Sequence, residues 1–101
     1  MFLLSSCKNQ TYKEIIKNGG VILDVRSPEE YIGGHIEGSI NIPISDLSDR
    51  LSEIEKYKRS PIITCCASGM RSERGKSILQ SNGFKEVYNG GGWSSLQAKL
   101  E

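Results

Sequence analysis

"PIITCCASGMRS", Pro61 to Ser72, decides how the chain is read. Its first half, Pro61 to Cys65, is apolar and rich in β-branched residues, the pattern of a strand buried on both faces. Its second half changes character. Cys66, Ala67, Ser68, Gly69 and Met70 make a short loop, and a helical pattern takes over from Arg71 to Ser81. Ile78 and Leu79 lie on the inner face of that helix, Gly75 marks a place of close packing, and Gly83 follows its end. A buried strand that runs through a small-residue loop into a helix is the repeating unit of a parallel α/β sheet.

The flanking segments follow the same alternation. "VILDV", Val21 to Val25, is a second continuous apolar run and predicts a strand with a helix on each face. Ahead of it, Thr11-Tyr12-Lys13-Glu14 forms a capping box for a short helix that Gly19-Gly20 ends. After it, Ser27 at N-cap, Pro28 at N1 and Glu30 at N3 start another helix, stopped at Gly33-Gly34. "SINIP", Ser39 to Pro43, predicts a short strand closed by proline. Leu47, Leu51 and Ile54 share one face of a helix from about Ser45 to Lys56. Glu86 to Tyr88 predicts a last strand, "NGGGW" at 89–93 a turn, and Ser94 to Leu100 a last helix. No internal repeat or low-complexity tract interrupts this order. The expectation is an α/β domain with right-handed crossovers. Ligands of such sheets sit beyond the carboxyl ends of the strands, where Asp24 to Arg26 and Cys65 to Arg71 both fall.

With 101 residues, one domain is expected: a tail at 1–10 and a folded domain at 11–101. Only 37% of the residues are apolar, so the core must be concentrated in the few short segments named above. Thirteen Lys and Arg nearly balance twelve Asp and Glu, and no basic block suggests nucleic acid or an anionic membrane. Three cysteines, Cys7, Cys65 and Cys66, are too few for a disulfide framework, and adjacent cysteines could pair only in a strained ring. One histidine, His35, and no CxxC pair argue against zinc. No stretch is long enough to span a membrane. Leu4-Ser5-Ser6-Cys7 resembles a bacterial lipobox, although the basic start and long apolar run of such signals are missing. A native start at Met1 implies a cytoplasmic protein, whereas a signal trimmed at its front implies a cell-envelope lipoprotein anchored through Cys7.

The chemistry lies in the cysteine loop. A loop that enters a helix N-terminus can turn its amide N–H groups inward, where the helix dipole adds positive potential. A cysteine at such a nest has a depressed pKa and reacts as thiolate. Gly69 allows a backbone conformation that other residues resist, and Arg71 can bind an anion through paired hydrogen bonds. Cys65 continues the strand and reads as a small core hydrophobe. Cys66 starts the loop and reads as the nucleophile.

Cys66-Ala67-Ser68-Gly69-Met70-Arg71-Ser72 resembles the C-x-x-G-x-R-S active-site loop of rhodanese-type sulfurtransferases. "ILDVRSPEEYIGGHIEGSINIP", Ile22 to Pro43, is similar to that family's D-V-R…E-Y…G-H-I-x-G-A-x-N-I-P segment, and "NGGGW" to its C-terminal G-G-W. The resemblance covers nearly all of the chain after Tyr12, with the motifs in order and at the expected spacing. It implies a three-layer fold: a parallel sheet of four to five short strands with helices on both faces. It also implies a single-domain bacterial thiosulfate sulfurtransferase without a cofactor, acting as a monomer.

In the implied reaction the Cys66 thiolate takes the outer sulfur of a donor such as thiosulfate, sulfite leaves, and the persulfide passes its sulfur to cyanide, a thiol or a protein acceptor. Amides from Ala67, Ser68, Gly69, Met70 and Arg71 would stabilise the anionic sulfur and bind the substrate. Asp24 and Arg26 would support the site by pairing with each other or with the loop. His35 is expected to bond the backbone, Glu29 and Glu30 to serve the helix start, and Trp93 to be a core or hinge aromatic. Gly90-Gly91-Gly92 lacks a dinucleotide-loop context. Ala67, Ser68 and Met70 are uncharged, which weakens the case for thiosulfate. Two alternatives accompany this reading. One is a persulfide carrier with little turnover. The other is a related phosphatase or arsenate reductase using Cys65 and Arg71 as C-x5-R, against which stands Thr64 where that class usually has histidine.

Overall fold

The computed structural model describes residues 10–101, so the lipobox-like Cys7 lies outside the described residues. Four parallel strands, β1 (Val21–Asp24), β2 (Ile40–Asn41), β3 (Ile62–Cys66) and β4 (Val87–Gly92), form one sheet in the order β2-β1-β3-β4. The described residues also include four α-helices: α1 (Tyr12–Lys17), α2 (Pro28–Ile32), α3 (Met70–Ser81) and α4 (Trp93–Leu100). The expected α/β architecture is therefore present, with β1 and β3 in the centre.

Strand alternation divides the core into two layers. Leu23, Val25, Ile62 and Cys66 point to one face and pack with Leu47, Ile54, Leu79 and Phe84. Ile22, Ile63 and Cys65 point to the other and pack with Ile15, Ile36 and Leu96. Leu23, Ile62, Ile63, Leu79 and Leu96 are each at most 1% exposed. Burying a side chain of this size contributes about 1.5–3 kcal/mol.

The helix starts follow their local chemistry. Thr11 and Glu14 close a complete capping box on α1, and Ser27 and Glu30 close another on α2 with Pro28 in its first turn. Helix α3 ends with the Gly83 and Phe84 amides donating to the Gln80 and Leu79 carbonyls, the Schellman pattern. A Cβ at Gly75 would come within 3.3 Å of Val25 Cγ1, so the glycine lets α3 lie close on the sheet.

Four expectations need correction. The residues around 45–56 do not form one α-helix. They form 3₁₀ turns over Ile44–Asp49 and Leu51–Tyr57, broken at Arg50 and kinked again at Ile54. Neither has a side-chain cap, and Leu47 and Ile54 are instead pinned separately in the core. "NGGG" is not a turn but the second half of β4. A Cβ at Gly90 would meet Ile63 Cγ2 at 2.7 Å, Leu96 Cδ2 at 2.9 Å and the Thr64 carbonyl at 2.9 Å, so this strand needs glycine to fit between β3 and α4. Third, Cys66 closes β3 and does not open the loop. A register shift between Thr64 and Cys66 lets Cys66 pair with Gly92. Strand β2 is also shorter than the Ser39–Pro43 run, covering Ile40–Asn41.

Candidate active site

Two strand ends build the site. Asp24 is in register with Cys65, and the Val25 amide donates to the Cys65 carbonyl at 2.9 Å. The two segments singled out in the sequence are therefore adjacent.

Cys65 and Cys66 leave β3 in opposite directions. Cys65 is fully buried in the layer of Ile22, Ile63 and Leu96. Burial, with the Asp24 charge beside it, pushes its thiol up to about 12 from 9.0. A thiol held this way is a poor nucleophile, which removes the basis for the C-x5-R reading through Cys65.

Cys66 faces the start of α3. The N-cap of α3 is Gly69, with φ 113°, and no side chain caps the helix. That left-handed conformation is strained for residues with a Cβ. The Cys66 sulfur takes the place of the missing cap, accepting from the Gly69 amide at 2.9 Å and from the Ser72 amide at 3.3 Å. Ser72 is the N3 residue, whose amide an N-cap oxygen would ordinarily satisfy. Burial alone would raise the Cys66 pKa. Hydrogen bonds from Ser72, Gly69 and Ser68 outweigh it, and the net shift is downward from 9.0. The Ser72 hydroxyl has a single proton and two close oxygen partners, Asn89 Oδ1 at 2.6 Å and the Gly69 carbonyl at 2.9 Å. We therefore assign the lowering chiefly to backbone amides. The Cys66 residue is only 1% exposed.

Sequence reasoning did not single out Ser72 or Asn89 for the site. Asn89 Oδ1 also accepts from the Gly91 amide at 2.9 Å, and its Nδ2 donates to Glu73 Oε1 at 2.9 Å. It thus ties β4 to the first turn of α3. Ser72 was visible as the last letter of the loop motif, whereas Asn89 is 17 positions further on and is joined to it only by the fold.

Arg71 was expected to await an anion. Its guanidinium instead makes two parallel hydrogen bonds to Glu30, Nη1 to Oε1 at 2.8 Å and Nη2 to Oε2 at 3.0 Å. Glu30 thus does more than cap α2. Asp24 and Arg26 form a buried ion pair at 2.7 Å, and Arg26 also donates to the carbonyls of Gly34 at 2.7 Å and Glu30 at 3.3 Å. Its guanidinium lies 4.7 Å from the Trp93 ring centre. Arg26 therefore joins β1, α2 and α4. His35 Nδ1 lies 2.7 Å from the Tyr31 carbonyl, and its ring stacks on Tyr31. Since a carbonyl only accepts, Nδ1 carries the proton.

Ser68, Met70, Arg71, Glu73 and Arg74 line an open depression of about 530 Å³ beside the loop. Met70 is 80% exposed there. Among the described residues no cluster of three or more His, Cys, Asp or Glu is placed to hold a metal, and no helix is long and apolar enough to cross a membrane.

The family profile of the rhodanese-like domain matches residues 8–99. The chain belongs to the rhodanese-like family. It is 36% identical over 74 residues to thiosulfate sulfurtransferase PspE of Escherichia coli (strain K12), covering 73% of this chain and 71% of that protein. It is 41% identical over 81 residues to YqhL of Bacillus subtilis (strain 168), an uncharacterized protein, covering 79% of this chain and 63% of YqhL. The chain thus spans less than two thirds of YqhL. Among solved structures, a rhodanese with anions from E. coli superimposes with a TM-score of 0.70 at 33% identity, covering 75% of this chain and 89% of that one.

Proposed function

We propose that this rhodanese-like domain is a sulfurtransferase that carries sulfane sulfur as a persulfide on Cys66. The observation behind this reading is the Cys66 sulfur seated on the Gly69 and Ser72 amides at an otherwise uncapped helix N-terminus. The thiolate attacks the outer sulfur of a donor such as thiosulfate. A new S–S bond forms, the donor's S–S bond breaks, and sulfite leaves with the electron pair. The persulfide anion is stabilised by amides of the segment from Ala67 to Ser72. A nucleophile such as cyanide or a thiol then removes the outer sulfur and restores the thiolate. Asp24 and Arg26 pair with each other and brace β1 against α2 and α4, a supporting role apart from the chemistry.

Intact mass after exposure to thiosulfate, followed by cyanide, tests this. Wild type should gain one sulfur atom and lose it again, Cys65→Ser should do the same, and Cys66→Ala should do neither. A Cys66→Ala protein that still transfers sulfur would refute the assignment. The burial of Cys66 favours one second reading, a carrier that exchanges sulfur with protein partners. It predicts a persulfide that forms but turns over slowly with cyanide.

A further inference from the structure

Arg71, the cation of the loop, is ion-paired in a way the reaction itself does not require. Arg71 and Arg74 line the depression together with Glu73, and Glu30 holds Arg71 from α2. Two cations are therefore balanced in number by two carboxylates, with Arg71 and Glu30 the ion pair among them. Glu73 is held in turn by Asn89. Arg26 adds no free charge, because Asp24 and the carbonyls of Gly34 and Glu30 occupy it. The α3 amides nearest the loop point at the Cys66 sulfur. Once Cys66 is a thiolate, little positive potential remains for a second anion.

Glu30 does not reach Arg71 by chance of rotamer. Its Oε1 accepts from the Ser27 amide at 3.0 Å, and its own amide donates to Ser27 Oγ at 3.2 Å. The capping box thus holds the carboxylate through bonds that do not involve the arginine. Both partners are about one-third exposed on their side chains. Arg71 holds the Glu30 carboxyl at about 2, with the Ser27 amide assisting, so the pair stays ionised throughout the neutral range.

Resting on the sulfurtransferase reading, we propose that Glu30 is a positioning residue that occupies Arg71 and turns the mouth of the site away from dianions such as thiosulfate and toward organic persulfides, R–S–SH. A dianion would have to displace a bidentate carboxylate to gain Arg71, whereas an organic persulfide carries at most one charge at its sulfur. The exposed Met70 thioether offers apolar contact to its organic part. Atoms and electrons balance without an added oxidant. Cys66–S⁻ attacks the outer sulfur of R–S–SH, the S–S bond of the donor breaks, R–S⁻ leaves with the electron pair, and Cys66–S–SH remains.

The test is the loading of Cys66, followed by rapid quench and intact mass at varied concentrations of thiosulfate or cysteine persulfide. Glu30→Gln keeps an oxygen for the cap and removes the charge. It should lower the half-saturating thiosulfate concentration about tenfold, the scale of one charge-assisted hydrogen-bond pair regained. The maximal loading rate, and both parameters for cysteine persulfide, should stay within about twofold on the same scale. Ser27→Ala removes the Oγ cap but keeps the charge and the backbone amide on Glu30 Oε1, so it should move donor preference far less than Glu30→Gln. A preference unchanged in Glu30→Gln, or equally shifted in Ser27→Ala, would overturn the proposal. Wild type supplies a check that needs no variant. Its half-saturation for thiosulfate should vary little with ionic strength, and a steep rise with salt would reveal a net cationic mouth and count against Glu30. If neither donor loads wild type, the sulfurtransferase reading itself fails. If both load and preference does not respond to Glu30→Gln, only the role of Glu30 fails.

Discussion

Cys65 and Cys66 share a peptide bond and almost nothing else. One strand directs Cys65 into the layer of Ile22, Ile63 and Leu96, and Cys66 toward the start of α3. Both residues are buried, to 0% and 1% exposure, so burial does not distinguish them. What differs is the partner. The Cys65 thiol meets hydrocarbon and the Asp24 carboxylate, while the Cys66 sulfur meets amide N–H groups. The same element thus has its thiolate suppressed on one face of the sheet and promoted on the other. The lesson is that a cysteine's reactivity here depends on which side of a strand it occupies, and one residue of register would exchange the two.

The strongest way to break that comparison is alkylation across pH. Cys66 should react with iodoacetamide with an inflection below the ordinary thiol value of 9.0, its rate falling only as pH drops through that inflection. Cys65 should stay unmodified in the folded protein throughout the neutral range. Peptide mapping that found Cys65 labelled first would reverse the assignment of the two thiols.

The next effect is on stability at high pH. The folded pKa of Cys65 is raised to about 12 above its unfolded value of 9.0. Its contribution is therefore fully present below pH 9, and is lost as pH rises through the window from 9 to 12. Within that window the loss should approach about 1.4 kcal/mol per pH unit. Denaturant melts of wild type and Cys65→Ala at pH 7.5 and 10.5 check this. A difference between the two proteins that does not depend on pH would contradict it.

The smallest effect concerns the cradle on the other side. Gly69→Ala should cost about 1–3 kcal/mol for its left-handed backbone. It should also raise the alkylation inflection of Cys66 as the amide geometry relaxes. A destabilised protein with an unchanged inflection would show that the amides act independently of Gly69.

The three helix starts show why some of this was legible in sequence and some was not. The boxes of Thr11 with Glu14 and Ser27 with Glu30 lie within four residues, and both formed as read. The start of α3 has no such local signature, because its cap is a sulfur that the end of β3 delivers. Similarly, "VILDV" and "PIITCC" read as buried strands because both faces are apolar, whereas "NGGG" hid a strand whose glycines answer to Ile63 and Leu96. The 45–56 segment misled because its apolar spacing suits an α-helix, although Leu47 and Ile54 anchor two tighter turns.

The sequence by itself determined the alternation of strand and helix, the parallel sheet and the family resemblance, and it named Cys66 rather than Cys65 as the candidate nucleophile. These rest on periodicity, caps and motif spacing, all of which are encoded over a few neighbouring residues. Only the tertiary structure decided that Ser72 and Asn89 belong to the site, and that Glu30 reaches 41 positions along the chain to hold Arg71. Ion pairs and side-chain hydrogen bonds depend on distances of a few ångströms between segments distant in sequence, and the packing of the chain sets those distances.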